Sequence, residues 1–310
     1  MTGTVVRSTG SWYDVMTDEG QRLTCKVKGN FRLRGIRSTN PVAVGDRVVV
    51  TEDATQTPYI KEVLDRSNYI VRKASNLSKQ SHILAANIDQ ALLIATIARP
   101  ETSTTFIDRF LACAEAYRVP VVIAFNKTDT LSAEERELKD GLAALYADIG
   151  YKCLSISALK ATGLEDLRGI LHGKTTLMAG NSGVGKSTLL NTLIPGANAR
   201  TAEISDAHQT GMHTTTYSEM FPLPDGGGLI DIPGIKGFGT FDIEPEEVAH
   251  YFRDIFHISA KCRFNNCTHT HEPGCAVLEA LENHQLPLSR YQSYLSMMED
   301  KDDGKYRAAF

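Results

Sequence analysis

Apolar and polar positions alternate in short runs through residues 1–72. The runs are "GTVVRS", "WYDVMT", "RLTCKV", "DRVVV" and "YIKEVL"; turn residues such as Asp18-Glu19-Gly20, Lys28-Gly29-Asn30 and Val44-Gly45-Asp46 separate them. Period-two alternation bounded by Gly, Asp and Asn predicts strands. Five such strands in this length predict a small closed β-barrel. An oligonucleotide-binding (OB) barrel and an SH3-like barrel both satisfy the pattern.

From His82 onward strands alternate with helices. "QALLIAT" predicts a strand, and Thr102 to Tyr117 a helix with Phe106, Ile107, Phe110, Leu111 and Ala114 on one face. "VVIAF" is the next strand, and Ser132 with Glu135 forms a capping box for a helix running to Ile149. "KCLSIS" predicts a strand, Leu164 to Leu171 a helix, "TTLMA" a strand and "GGLIDI" another. Such alternation predicts a parallel sheet covered on both faces. After Phe241 the chain turns helical and acidic, with "PEEVAHYFRDIF" and "LPLSRYQSYLSMMED" flanking a Cys/His cluster. Three domains are expected: a barrel over 1–72, an α/β domain over 73–239 and a mainly helical domain over 240–310.

Composition adds modest bounds. The 310 residues are 42% hydrophobic and 23% charged, ordinary for a globular chain. No run of apolar residues is long enough for a transmembrane helix, so no membrane partner is expected. The start lacks a charged segment followed by an apolar core, so no signal peptide is expected either. Both point to the cytoplasm, where thiols stay reduced, and the six cysteines then read as metal ligands or buried apolar residues. Net charge is −4 overall, divided as +4 over residues 1–73, −3 over 74–240 and −5 over 241–310. The basic share is densest in "KVKGNFRLRGIR", either a solvated loop or a phosphate-contacting one.

The chemistry begins at Gly180-Asn181-Ser182-Gly183-Val184-Gly185-Lys186-Ser187, followed by Thr188. Its glycines let backbone N–H groups wrap phosphate oxygens. Lys186 reaches the β- and γ-phosphates, and Ser187 offers its hydroxyl to Mg²⁺. A strand precedes the loop and the apolar helix "STLLNTLI" follows, the context this motif requires. Asn126-Lys127-Thr128-Asp129 selects the base: the Asp129 carboxylate accepts from guanine N1–H and the exocyclic amine, a donor pair that adenine lacks. Asn126 holds the base edge and neighbouring loops, and the Lys127 stem can lie across the base face. Ser157-Ala158-Leu159 ends the next strand, where the Ala158 N–H can reach guanine O6. In "DIPG", Asp231 holds Mg²⁺ through water and the Gly234 N–H senses the γ-phosphate. In "HTTT", Thr215 is the favoured switch threonine to complete the Mg²⁺ shell.

The order of these loops is inverted relative to ordinary G proteins, in which the base-reading loop comes late. Cutting such a domain between DxxG and the base-reading loop, and joining its old ends, gives this order. Each loop still ends its own parallel strand, where ligands of open α/β sheets bind. In the C-terminal segment, Cys262, Cys267 and Cys275 with His269 or His271 give the donor set of a closed tetrahedral Zn²⁺ site, structural rather than catalytic. Cys25, Cys113 and Cys153 fall in strand or helix patterns and read as core.

The permuted loop order, "GMHTTT" at 211–216, "CRFNNCTHTHEPGCAV" at 262–277 and the barrel-like start resemble the circularly permuted RsgA/YjeQ GTPases that assist maturation of the small ribosomal subunit. Met212 and Ile232 stand where that family often has a basic residue and Thr, and a long basic N-terminal tail is lacking. The resemblance implies an OB-fold N-terminal domain, a central P-loop GTPase domain and a C-terminal zinc domain with His269 as the fourth ligand. It also implies binding to the small subunit, whose 16S-type rRNA stimulates conversion of GTP to GDP. A nucleotide-gated RNA-binding factor with incidental turnover is the alternative. A monomer is expected. Ile235 occupies the place after the DxxG glycine, where many G proteins carry a water-orienting Gln. His213, beside the switch threonines, is the internal candidate for that task, with a loop-shaping role as its alternative.

Overall fold

The computed structural model describes residues 1–27, 41–51, 57–73, 81–197, 218–232 and 243–299. Two compact units emerge, one of Met1–Glu101 with Tyr117–Phe241, the other of Thr102–Ala116 with the residues from Asp242 on.

In the first unit, β1 (Thr2–Ser8), β2 (Tyr13–Thr17), β3 (Arg22–Val27), β4 (Arg47–Val50) and β5 (Tyr59–Val63) form the barrel. Their order is β1-β2-β3-β5-β4, closed by β1 pairing with β4. The parallel β3–β5 pair, Lys26 opposite Tyr59, decides between the two barrel types. A ring in the order β1-β2-β3-β5-β4 with a parallel β3–β5 pair is the OB arrangement, not the antiparallel meander of an SH3-like barrel. Alternate residues Val5, Tyr13, Val15, Val48, Val50 and Ile60 fill its interior. At its base Asp46, fully buried, accepts the Ala43 N–H at 2.8 Å and pairs with Arg66 at 2.6 Å.

A hairpin of β6 (Tyr69–Lys73) and β7 (Ser81–Ala86) follows. The chain then enters a parallel sheet of β8 (Gln90–Ala95), β9 (Val121–Phe125), β10 (Lys152–Ser155), β11 (Thr175–Ala179) and β13 (Gly228–Asp231), in the order β10-β9-β8-β11-β13. β12 (Ser218–Pro222) runs antiparallel beside β13 and pairs through Glu219 and Ser218 with Arg7 and Ser8 of β1, joining sheet and barrel. β8 and β9 are buried on both faces, which is why "ALLIA" and "VVIAF" read as continuous apolar runs rather than alternations. Helices α2 (Ala133–Asp148), α3 (Leu164–Leu171) and α4 (Lys186–Leu193) connect the strands. The Ser132/Glu135 capping box opens α2 as expected. Leu164, Leu167, Leu171, Leu189, Leu190 and Leu193 pack with Leu92, Val122 and Met178 in one core.

The second unit contains α1 (Thr104–Ala116), a 3-10 turn at Pro245–Tyr251, α5 (Arg253–Ser259), α6 (Ala276–Glu282) and α7 (Leu288–Met298). The helix expected over "PEEVAHYFRDIF" is broken at Phe252, an extended residue between the 3-10 turn and α5. That α1 belongs with these helices follows from one buried ion cluster. Arg290, 1% exposed, donates to Asp108 of α1 at 2.7 Å and to both carboxylate oxygens of Asp254 at 2.8 and 2.7 Å. Its ring contact with Phe252 lies on the other side, 4.8 Å from the guanidinium carbon. Burial opposes the charge on Arg290, but the two carboxylates more than compensate and raise its pKa. Among the described residues no helix is long and apolar enough to cross a membrane.

Removing one partner of a buried charge cluster strands the others. Arg290→Ala should therefore lower stability by about 3–5 kcal/mol, read as a fall in the urea midpoint of the full chain.

Candidate nucleotide and metal sites

Five loops leave the carboxyl ends of five parallel strands: 96–101 after β8, 126–129 after β9, 157–159 after β10, 180–187 after β11 and the residues after Asp231 of β13. The strand order brings them to one edge, although the sequence visits them in permuted order. Expected nucleotide-binding residues 126–129, 157–159 and 180–188, with Asp231, are all described and lie on that edge. His213, Thr215 and Gly234 lie outside the described residues.

Asn126 ties three of the loops together. Its side chain is 3% exposed. Nδ2 donates to the Val184 carbonyl of the phosphate loop at 2.8 Å, and Oδ1 accepts the Ala158 N–H at 2.9 Å. Two glycines make room. At Gly185 (φ +98°) a Cβ would stand 2.5 Å from Asn126 Nδ2, and at Gly180 (φ +143°) it would stand 2.4 Å from the Ile94 carbonyl of β8. Both positions need a left-handed or open backbone and close approach, which only glycine offers without strain.

Around this brace the base-reading loop takes shape. Lys127 adopts φ +62°, and its ammonium donates to the Arg99 carbonyl at 2.6 Å. Asp129 is exposed, with Oδ1 accepting from Ser157 Oγ at 2.6 Å. Ser157 in turn accepts the Lys160 N–H at 3.1 Å. Its position therefore fixes one carboxylate oxygen of Asp129 and leaves the carboxylate facing outward. The Ala158 N–H, expected to face guanine O6, is engaged by Asn126. A contact with O6 would make that a shared, three-centre bond. Leu159 is 74% exposed beside it.

At the phosphate loop, Lys186 Nζ curls over the loop and donates to the Gly180 and Asn181 carbonyls, each at 2.7 Å. Burial lowers its pKa, opposed by Asp231; burial raises that of Asp231, opposed by Lys186. A half-buried cation and anion thus stabilise each other at the place where phosphates and Mg²⁺ would enter. α4 opens behind Gly185, directing its N-terminus at the loop. Thr192 Oγ1 reaches back to the Ala158 carbonyl at 3.1 Å.

In the second unit the sulfurs of Cys262, Cys267 and Cys275 and the ring of His269 place their donor atoms within 4.8 Å of one another. Cys262 Sγ lies 4.0 Å from Cys275 Sγ; His269 Nδ1 lies 3.6 Å from the first and 3.5 Å from the second. A tetrahedral ion with bonds of about 2.3 Å to sulfur and about 2.05 Å to nitrogen separates two sulfurs by about 3.8 Å and sulfur from nitrogen by about 3.6 Å. The donor set fits a metal ion. His269, not His271, turns inward: its ring is buried, whereas His271 is exposed and meets Thr270 Oγ1 at 2.8 Å. Burial, then the neighbouring thiols, push the Cys267 thiol up to about 12, and burial raises that of Cys275 against hydrogen bonds that lower it.

Comparison with known proteins identifies the arrangement. The RsgA GTPase family model matches residues 63–241 and the RsgA N-terminal domain model residues 2–60. The chain belongs to the RsgA GTPase family. A Bacteroides fragilis protein named small ribosomal subunit biogenesis GTPase RsgA is 62% identical over the full length of both chains. The crystal structure of YjeQ from Thermotoga maritima superposes with a TM-score of 0.76 at 36% identity, covering 96% of each chain. That of YloQ, a circularly permuted GTPase, gives 0.74 at 28% identity over 100% of this chain and 96% of that one. As an RsgA family GTPase the chain is a hydrolase, and the family implies Mg²⁺ with the nucleotide.

Two sets of supporting residues in this family member escaped the sequence reading. The loop after β8, "TIARPE", carries no phosphate or base motif, yet it ends a strand at the same edge as the others. Around the metal loop, Glu272 accepts the N–H groups of Thr268, Thr270 and His271 at 2.6, 3.1 and 3.2 Å. The Tyr291 and Tyr294 hydroxyls of α7 donate to the His269 and Thr268 carbonyls at 2.8 and 2.7 Å. Spacing in the sequence gives no sign of those tyrosines, because α7 reaches the loop only through the fold.

Two outcomes follow. Asn126→Ala leaves the Val184 carbonyl and the Ala158 N–H without their partner, at about 1–3 kcal/mol for each buried group. Calorimetry should show guanine-nucleotide affinity falling at least about tenfold, the equivalent of about 1.4 kcal/mol. For the metal site, protons compete for the thiolates, so an ion bound at neutral pH should be released on acidification. Release monitored with a colorimetric chelator should rise steeply as pH falls, and Cys267→Ala should release the ion already at neutral pH.

Proposed function

We propose that this chain binds the small ribosomal subunit, assists its late maturation, and converts GTP to GDP and phosphate faster when the subunit is present. The observation that carries this is the brace at Asn126. It holds a guanine-type carboxylate loop and a phosphate loop in register on one sheet edge, in a chain whose full-length relatives are named small ribosomal subunit biogenesis GTPases.

In this reading, Asp129 accepts the guanine N1–H and amine, Lys127 lies across the base, and Ala158 with Leu159 lines O6. The N–H groups of 180–188 and Lys186 hold the phosphates. Ser187 and Thr215 would hold Mg²⁺, with Asp231 acting through water, and the ion would supply positive charge beside the phosphates. Gly234 senses the γ-phosphate. Cys262, Cys267, His269 and Cys275 hold one structural Zn²⁺ per chain, which cross-links the loop before α6 and leaves no open position. The OB barrel suits contact with the subunit's rRNA. Working domains of 1–72, 73–239 and 240–310, a monomer and a cytoplasmic setting complete the reading.

His213 is the proposed catalytic group. Ile235 cannot orient water, and His213–Thr216 contains no Lys or Arg to act as a cationic finger. The free chain should therefore turn over slowly. On the subunit, contact with the 213–216 segment would set the imidazole to orient the attacking water. Phosphate release should rise strongly when small subunits are added to the native chain. His213→Ala should lose that rise while keeping subunit binding and GTP affinity. An undiminished rise in His213→Ala would assign the missing group to the ribosome, and no rise in the native chain would favour the nucleotide-gated RNA-binding reading.

A further inference from the structure

The loop after β8 touches the base-reading and phosphate loops at several points. Arg99 sits at its tip with φ +55°. Its carbonyl receives the Lys127 ammonium at 2.6 Å. Its guanidinium reaches across to α2, donating to Glu135 at 3.1 and 2.8 Å and to the Thr130 carbonyl at 2.9 Å. Pro100 packs on the phosphate loop, its Cδ 3.3 Å from where a Cβ of Gly183 would stand. Thr96 Oγ1 closes the loop on the Pro100 carbonyl at 2.5 Å.

We infer that Arg99 is a positioning residue for the guanine nucleotide: its side chain clamps the loop to the end of the base-reading segment, so that its own carbonyl holds Lys127 extended beside the base. This rests on the guanine-site reading above. Lys127 has a long, flexible stem on a left-handed backbone residue, and a lysine left free samples many rotamers. Fixing the ammonium at one carbonyl fixes the stem. The carbonyl is fixed only if the loop is, and the Arg99 fork holds the loop at two acceptors on the far side of Lys127.

A simple surface ion pair would have little effect, because exposed pairs contribute little. The Arg99 side chain is 56% exposed, so its loss removes little packing. Arg and Ala both carry a Cβ, and so both bear the cost of a left-handed backbone. An Arg99→Ala change therefore isolates the clamp. Glu135→Gln weakens the same clamp from the other side while keeping the capping box, since Gln also serves at that position.

The experiment measures dissociation of fluorescently labelled GDP from the full-length protein and from Arg99→Ala, Lys127→Ala, Glu135→Gln and their pairwise combinations. Arg99→Ala should speed dissociation about fivefold, with little change in melting temperature. Glu135→Gln should have a smaller effect in the same direction. Neither change should speed dissociation further in the Lys127→Ala background, because the clamp acts through that lysine. Unchanged dissociation in Arg99→Ala, or effects that multiply fully with Lys127→Ala, would overturn the inference. Should Arg99→Ala fail to fold, the Glu135→Gln arm decides alone by the same criteria. Asp129→Asn, tested in parallel, separates the two levels. If it fails to shift preference from guanine to xanthine nucleotides, the base-site reading itself is wrong. If it shifts preference while Arg99→Ala is silent, only the clamp is wrong.

Discussion

A single buried amide, Asn126, holds the nucleotide edge of this molecule together. Its two ends join the phosphate loop after β11 to the 157–159 loop after β10, while its own backbone N–H bonds Ala95 at the end of β8 at 2.8 Å. Four parallel strands thus meet at one residue. A short polar side chain can do this only where backbones come close, and Gly185 supplies the clearance. Buried polar groups that are all satisfied rigidify their surroundings, and each becomes costly once one member is lost. The same residue lies in the loop that carries Asp129 and bonds the 157–159 loop whose Ser157 holds that carboxylate, so the placement of Asp129 and that of the 180–187 backbone depend on one another.

Circular permutation is compatible with this because the brace acts through space and not along the chain. Parallel strands present their carboxyl ends at one edge whatever the order in which they are threaded. Permutation changes where chain segments enter and leave. The helix α1 illustrates the point: it lies between β8 and β9 in sequence, yet its Asp108 accepts from Arg290 of α7, which also donates to Asp254. The loop that carries Arg99 leads directly into this helix. A segment bonded to Lys127 is therefore covalently continuous with the unit that carries the Cys/His cluster, in addition to the segment following Asp231.

Much of this was legible in the sequence. The motifs at 180–187, 126–129 and 157–159 stand out in the sequence because each demands particular residue types at fixed spacing after a strand, and the structure places all three at the carboxyl ends of parallel strands of one sheet. The barrel strands were legible from period-two alternation. The alternation predicted a closed barrel but did not by itself separate the OB from the SH3-like type, because the deciding β3–β5 pairing joins residues far apart in sequence and leaves no local mark. β12 went unread, since "SEMFP" is short, mixed in polarity and ended by proline. Arg290 went unread for a related reason. An arginine among Ser, Tyr and Gln on an amphipathic helix looks solvated, and only the fold brings two carboxylates to it. Cys262, Cys267 and Cys275 were legible as candidate ligands; spacing alone left His269 and His271 open, the family resemblance favoured His269, and the structure buries that ring beside the thiols while His271 stays exposed.

The measurement that bears most directly on the intact, guanine-selective site is calorimetric titration of the full-length chain with GDP and with ADP in the presence of Mg²⁺. One GDP should bind per chain, with ADP weaker by at least about a thousandfold, because Asp129 would face adenine without a donor pair. Comparable binding of both nucleotides, or no GDP binding at all, would contradict it.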